Sequence, residues 1–233
     1  MNIVLLETST AVCSAALASE RNVVLELHSD MANAHSHKLA LFVDEILKYA
    51  KFHNLPIDAV CVSSGPGSYT GLRIGVSSAK GLCYALDIPL LAVPTLQSMA
   101  SLYCVQHPDY SGFVCPMIDA RRMECYTAVY AVADGVLSQV RPVEAEIIVD
   151  GCYDAFLDQD KMVFVGDGAP KTVDTLGVHS NALFDKDFTL SAKGLAVDAF
   201  SKFEKGDFED VAYFEPFYLK NFLAKKSVVR GLR

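Results

Sequence analysis

The sequence predicts an α/β fold of two similar lobes, each a mixed sheet flanked by helices. Three observations lead there. The order strand, hairpin pair, helix, strand, glycine turn, helix runs twice along the 233 residues. The later strand of each run ends in a Gly-x-Gly step, Gly65-Pro66-Gly67 and Gly166-Asp167-Gly168. Hydrophobic residues make up 52% of the chain, enough to bury a large core in one large domain or two small ones.

Asn2–Leu6 is an apolar run followed by the turn-prone Thr8-Ser9-Thr10. Val12–Ala18 and Val23–Leu27 are extended runs joined at Ser19-Glu20-Arg21-Asn22, which reads as a hairpin. A helix follows over Asn33–Asn54, with Asn33 or Ser36 as cap; its apolar residues 39, 42, 43, 46, 47 and 50 share one face at the 3.6-residue period. Ile57–Val62 is a buried strand, the glycine-rich segment opens a helix to about Leu86, and Leu90–Val93 is a further strand. In the second half, Phe113–Ile118 is a strand, and Glu124–Val132 and Val136–Val140 pair across Asp134-Gly135. A helix is expected within Glu144–Leu157, a strand over Met162–Val165 and a helix over Ala192–Glu204. This duplicated β-β-β-α-β-α order predicts the actin-like ATPase/sugar-kinase (ASKHA) architecture, two ribonuclease-H-like lobes facing a cleft. The expected boundary separates residues 1–106, carrying the docking helices, from 107–233, whose basic tail is free to pack back on the first lobe.

Residues 65–75, Gly-Pro-Gly-Ser-Tyr-Thr-Gly-Leu-Arg-Ile-Gly, are the most informative stretch. Glycine costs roughly 1 kcal/mol in a helix interior, so four within eleven positions need a reason. Gly65 and Gly67 around Pro66 turn the chain and let backbone approach a neighbour or an anion. Gly71, Gly75 and Ala79 recur at i, i+4, i+8 and leave one helix side flat, a surface suited to docking. Leu72 and Val76 lie beside it, and Leu41, Tyr49 and Phe52 project away from the main stripe of the preceding helix. These eight residues form the expected partner interface, and Gly75→Leu is expected to abolish pairing while leaving the chain folded. The same residues also fit packing against the chain's own sheet.

Several classes are disfavoured. No apolar run approaches the ~18 residues of a membrane span, and the N-terminus lacks the basic region of a signal peptide. Seven scattered cysteines with no C-x-x-C pair fit reduced core thiols, a cytoplasmic setting and no structural zinc. Net charge −8 argues against a grip on nucleic acid phosphates, except through Lys220, Lys225, Lys226, Arg230 and Arg233 near the end. No G-x-S-x-G elbow is present, and His35 and His37 stand two apart, on different sides of a helix.

The strand leading into Glu7-Thr8-Ser9-Thr10, the Ser64–Gly75 segment, Ala79-Lys80-Gly81-Leu82 and Val93-Pro94-Thr95-Leu96 resemble the TsaB (YeaZ) family, with a weaker echo at Glu215-Pro216-Phe217-Tyr218-Leu219. The resemblance is close over the first hundred residues and thin afterwards. It implies an actin-like fold and an accessory, non-catalytic subunit of the bacterial tRNA threonylcarbamoyladenosine machinery. Implied partners are the catalytic paralogue TsaD, the ATPase subunit TsaE and, through the complex, tRNA; alone, such a chain is free to form a homodimer. TsaD-like enzymes hold a metal with two histidines four apart; here Thr95 and Met99 occupy those places, so no metal or other cofactor is expected. Weak candidates for a nucleotide site are Glu7, Thr8, Gly166 and Gly168. Glu7-Thr8-Ser9-Thr10 lacks a phosphate-wrapping glycine, and Asp119-Ala120-Arg121-Arg122 puts two bulky cations in the equivalent turn. A small-molecule kinase or ATPase remains the alternative, and a metallopeptidase is disfavoured.

Overall fold

A tight two-residue turn joins two neighbouring strands in each lobe. In the computed structural model, which describes residues 1–31 and 35–220, β2 (Cys13–Ser19) and β3 (Asn22–Ser29) join through Glu20 and Arg21, both at positive φ. Later, β7 (Glu124–Ala133) and β8 (Val136–Ile147) join through Asp134 and Gly135, again both at positive φ. Two-residue loops of this kind match the right-handed strand twist.

Around these hairpins form two five-stranded sheets of one topology. The first has the order β3-β2-β1-β4-β5, with β1 (Asn2–Glu7) antiparallel to β2 and parallel to β4 (Ala59–Ser63), and β5 (Leu90–Val93) at the edge. The second repeats it as β8-β7-β6-β9-β10, built from β6 (Gly112–Asp119), β9 (Met162–Val165) and β10 (Ala182–Phe184). This is the actin-like arrangement expected from the element order.

Helices cover both sheets, and two of them are exchanged. α1 (His35–Phe52) and α2 (Tyr69–Leu86) cover one face of the first sheet through Leu39, Ile46, Val76 and Cys83. Its other face is covered from far along the chain: Leu195, Ala199 and Phe200 of a 3₁₀ turn and α6 (Ala196–Lys205) pack on Ile3, Leu5, Ala59 and Leu91. Conversely α3 (Thr95–Gln106), which follows the first sheet, packs through Leu96, Met99 and Tyr103 on Val114, Ala128 and Val163 of the second. α4 (Asp154–Leu157) and α5 (Val173–Leu176) lie over the opposite face. Where α3 and α6 meet, Asp198 accepts hydrogen bonds from Gln97 Nε2 at 2.5 Å and Ser101 Oγ at 2.8 Å.

A strap, residues 207–218, then returns across α2. Glu209 N–H bonds the Leu90 carbonyl, Lys80 Nζ donates to the Ala212 and Phe214 carbonyls, and Phe217 N–H bonds the Ser64 carbonyl at 2.7 Å.

Two local expectations change. Glu144–Ile147 continues β8, with Glu144 opposite Thr127, because Arg141 pairs with Glu144 and Glu146 along the strand; only Asp154–Leu157 is helical there. Ser36 lies inside α1 rather than capping it, and Asn33 lies outside the described residues, as do Lys225, Lys226, Arg230 and Arg233 of the tail. All seven cysteines are free thiols, and no helix among the described residues is long and apolar enough to cross a membrane.

Because α6 belongs to the first sheet's core, Phe200→Ala should cost about 3–5 kcal/mol. The expected result in urea is one cooperative transition at a lower midpoint, followed in parallel by circular dichroism and tyrosine fluorescence.

Candidate functional site

The carboxyl ends of β1, β4, β6 and β9 all open on one cleft between the lobes, the place where α/β sheets hold ligands. The cleft measures about 1030 Å³, and its walls include Ser9, Thr10 and Gly67 on one side and Asp119, Arg121 and Asp167 on the other.

The glycine-rich segment forms the first wall, and its glycines are taken up by contacts within the chain. A Cβ on Gly67 would stand 2.4 Å from the Ser9 carbonyl oxygen, one on Gly71 2.0 Å from that of Thr8, and one on Gly75 2.2 Å from Thr8 Oγ1. Hydrogen bonds lock the approach: Thr8 Oγ1 donates to the Gly71 carbonyl at 2.8 Å and Ser68 N–H to the Ser9 carbonyl at 2.6 Å. Ser68 Oγ caps α2 through the Gly71 N–H. Gly65, at φ +112°, follows β4 and lies where a side chain would meet the Phe217 carbonyl of the strap at 2.4 Å.

The flat side of α2 therefore faces inward. Gly71, Leu72, Gly75, Val76 and Ala79 are all buried in their own lobe, which corrects the expectation that they present a docking surface; the close packing against β1 explains their size. The outward side carries a different row of small residues, Ser77, Gly81 and Ala85, all exposed, and a Cβ on Gly81 would meet none of the described residues within 4 Å. Beside it Tyr84 is 87% exposed, and on α1 Leu41 is 50% and Phe52 81% exposed. Tyr49 is half-buried against His53, with ring centroids 4.1 Å apart. Three of the eight predicted residues thus reach the surface, because an i, i+4 row of small residues does not say which side of a helix meets the core.

The nucleotide candidates lie behind the cleft rather than on it. Glu7 is fully buried; its Oε1 accepts from Ser9 N–H at 2.7 Å and Ser63 Oγ at 2.9 Å, while Oε2 makes no hydrogen bond among the described residues. Burial pushes this carboxyl above the usual glutamate range, against those hydrogen bonds. Thr8 is spent on Gly71. Gly166, at φ +100°, packs on the Met117 carbonyl and Met99, and Gly168 on the backbone of Ile118 and Asp119. Between them Asp167 accepts from Asp119 N–H at 3.0 Å, and its carboxyl is raised by burial. For Asp119, burial works upward, but an ion pair with Lys171 and the Arg121 N–H hold it below the usual range. Arg121 and Arg122 both sit at positive φ in the second turn.

Tyr218 and Lys220 also line the cleft, and Lys220 pairs with Glu124 of the second lobe. The motif at 215–219 was the signal for Tyr218, and Lys220 is the first cation of the basic tail. His35 lines the cleft with Nε2 2.9 Å from the Thr10 carbonyl oxygen, and His37 is exposed. On α3, Thr95 Oγ1 accepts from Gly65 N–H at 3.1 Å and Met99 fills the space beside Gly166. Among the described residues, no three His, Cys, Asp or Glu side chains are grouped to hold a metal ion.

This combination of fold and glycine wall has known relatives. A family model described as TsaD, tRNA N6-adenosine threonylcarbamoyltransferase, matches residues 27–231. The chain is 34% identical over 150 residues to the tRNA threonylcarbamoyladenosine biosynthesis protein TsaB of Bacillus subtilis, a match covering 64% of each chain. It is 29% identical to the TsaB of Escherichia coli over 232 residues, 98% of each. Among solved structures, YeaZ from Pseudomonas aeruginosa superposes with a TM-score of 0.77 at 26% identity, covering 94% of this chain and 99% of that one. The chain belongs to that family, in its TsaB (YeaZ) branch.

Two outcomes are expected of this TsaB-family site. Gly75→Leu should unfold the chain, because its side chain would displace Thr8 and with it the end of β1; loss of the cooperative thermal transition is the readout. Glu7 binds its proton more tightly folded than unfolded, so the native state holds more protons once pH exceeds about 4.3, the unfolded value. Stability therefore falls as pH rises through that window toward the raised folded value. Glu7→Gln should remove this slope and match or exceed the wild type at neutral pH, as read from urea midpoints across pH.

Proposed function

We propose that this chain is a non-catalytic scaffold subunit of the tRNA N6-threonylcarbamoyladenosine complex, which binds and supports the catalytic paralogue TsaD. The observation that carries the reading is the near full-length kinship with a TsaB protein, 98% of both chains. Its support within the fold is the use of Thr95 and Met99 for packing, in the places where the resemblance puts the metal-binding histidines of TsaD. TsaE is the further partner in this reading, tRNA is engaged through the complex, and the setting is the cytoplasm.

Docking is assigned to the outer sides of α1 and α2. Leu41, Phe52 and Tyr84 supply apolar anchors, and the exposed Ser77, Gly81 and Ala85 let a partner helix lie close to the backbone. Without the partner, the same face suits a second copy. The cleft supports a second reading, a small-molecule kinase or ATPase, through its volume and its place at the strand ends; saturable binding of ATP to the isolated chain would favour it.

Omit-one reconstitution tests the proposal. Unmodified tRNA is incubated with threonylcarbamoyl-adenylate, TsaD- and TsaE-type subunits and ATP, with and without this chain. Product should be lost only when the chain is left out, and the chain alone should make none; undiminished product without it would overturn the reading. Tyr84→Asp should weaken TsaD binding by roughly 30-fold or more, as for an aromatic anchor of about 2 kcal/mol. Thermal stability should change little, since the side chain is exposed.

A further inference from the structure

A second, smaller pocket of about 180 Å³ lies between α2 and the strap. Arg73, Ser77 and Lys80 line it from the helix, and Phe214, Glu215 and Tyr218 from the strap. Its cations are positioned but not used up. Arg73 donates its Nε–H to Tyr218 Oη at 3.3 Å, and its guanidinium lies 4.3 Å from the centre of the Tyr69 ring, itself 4.9 Å from the Tyr218 ring. Lys80 is pinned by two strap carbonyls, each at 3.0 Å, leaving one N–H free of those bonds. Among the described residues the terminal amino groups of Arg73 make no hydrogen bond, and neither cation is in an ion pair. Glu215, exposed on the rim, acts on Arg73 electrostatically without forming one.

A guanidinium held by ring stacking and one hydrogen bond presents the rest of its fork ready-made for an oxyanion. Ser77 belongs to both this pocket and the outward row of α2 that continues through Gly81 to Ala85 beside Tyr84. We infer that the pocket receives a carboxylate, the Asp or Glu side chain of the partner protein that covers the α1–α2 face, and so fixes the register of docking. The inference rests on the docking reading above. A protein carboxylate is favoured over a nucleic acid phosphate by the apolar surface beside the pocket and by the chain's net charge of −8. The volume is also below that of a pocket for a whole nucleotide.

Binding of the TsaD-type paralogue to the full chain, measured by surface plasmon resonance over a range of salt concentrations, provides the test. Arg73→Gln should weaken binding roughly 10- to 100-fold, as for loss of a hydrogen-bonded interfacial charge pair, and flatten the salt dependence. Arg73→Lys, which keeps the charge and loses the fork, should fall between the two, and both variants should melt with the wild type. Wild-type affinity in Arg73→Gln alongside weakened Tyr84→Asp would overturn the carboxylate pocket and leave the docking reading standing. Wild-type affinity in both would overturn docking, and the inference with it. If Arg73→Gln instead lowered retention of unmodified tRNA and left paralogue binding unchanged, the pocket would be a phosphate site and the inference wrong.

Discussion

The contact between α2 and the end of β1 is the constraint on which the other features depend. With Gly71 and Gly75 over Thr8, the helix axis comes closer to the strand than any side chain would allow. The approach places Ser68 to donate its N–H to Ser9, and so builds one wall of the cleft from the first turn of the helix. It also decides which side of α2 remains outside. Once Gly71, Gly75 and Ala79 are committed inward, Ser77, Gly81 and Tyr84 are the residues left at the surface.

The exchange of covering helices makes the two lobes one mechanical object. Neither sheet is covered on both faces by its own stretch of chain: α6 supplies Phe200 to the first, and α3 supplies Leu96 and Met99 to the second. The Asp198 hydrogen bonds to Gln97 and Ser101 join the exchanged helices. Opening the cleft would therefore have to slide α3 and α6 against packed sheets, whose close-packed cores resist gradual deformation.

Most of the fold was legible because periodicity and turn chemistry are local. The hairpin at Glu20-Arg21, the Asp134-Gly135 turn, both Gly-x-Gly steps and the extent of α2 follow from residue type and spacing. What escaped was set by distant contacts. The helical reading of Glu144–Ile147 failed because the ladder to β7 and the Arg141 ion pairs outweigh helix propensity. The inward orientation of the Gly71/Gly75/Ala79 row was not legible, since the deciding partner, Thr8, lies more than sixty residues earlier. The strap was visible only as a faint motif at 215–219, because its grip comes from Lys80 and Ser64, outside the segment.

The duplication also shows how similar turns came to be used differently. Gly65 and Gly166 both follow a central strand with positive φ, and both leave room for something brought from elsewhere. At Gly65 the occupant is the strap, through the Phe217 carbonyl; at Gly166 it is Met99 of α3. The second lobe thus fills its glycine turn from the exchanged helix α3, and Gly166 stays half-buried. The first lobe fills its turn with an outer segment whose other contacts, Arg73 and Lys80, lie on the outward side of α2. The same strap that closes the core at Gly65 therefore shapes the surface beside Tyr84, and a change at its anchor would reach the docking face without touching it. On the docking reading proposed above, this asymmetry gives the first lobe, rather than its near copy, the surface for recognition.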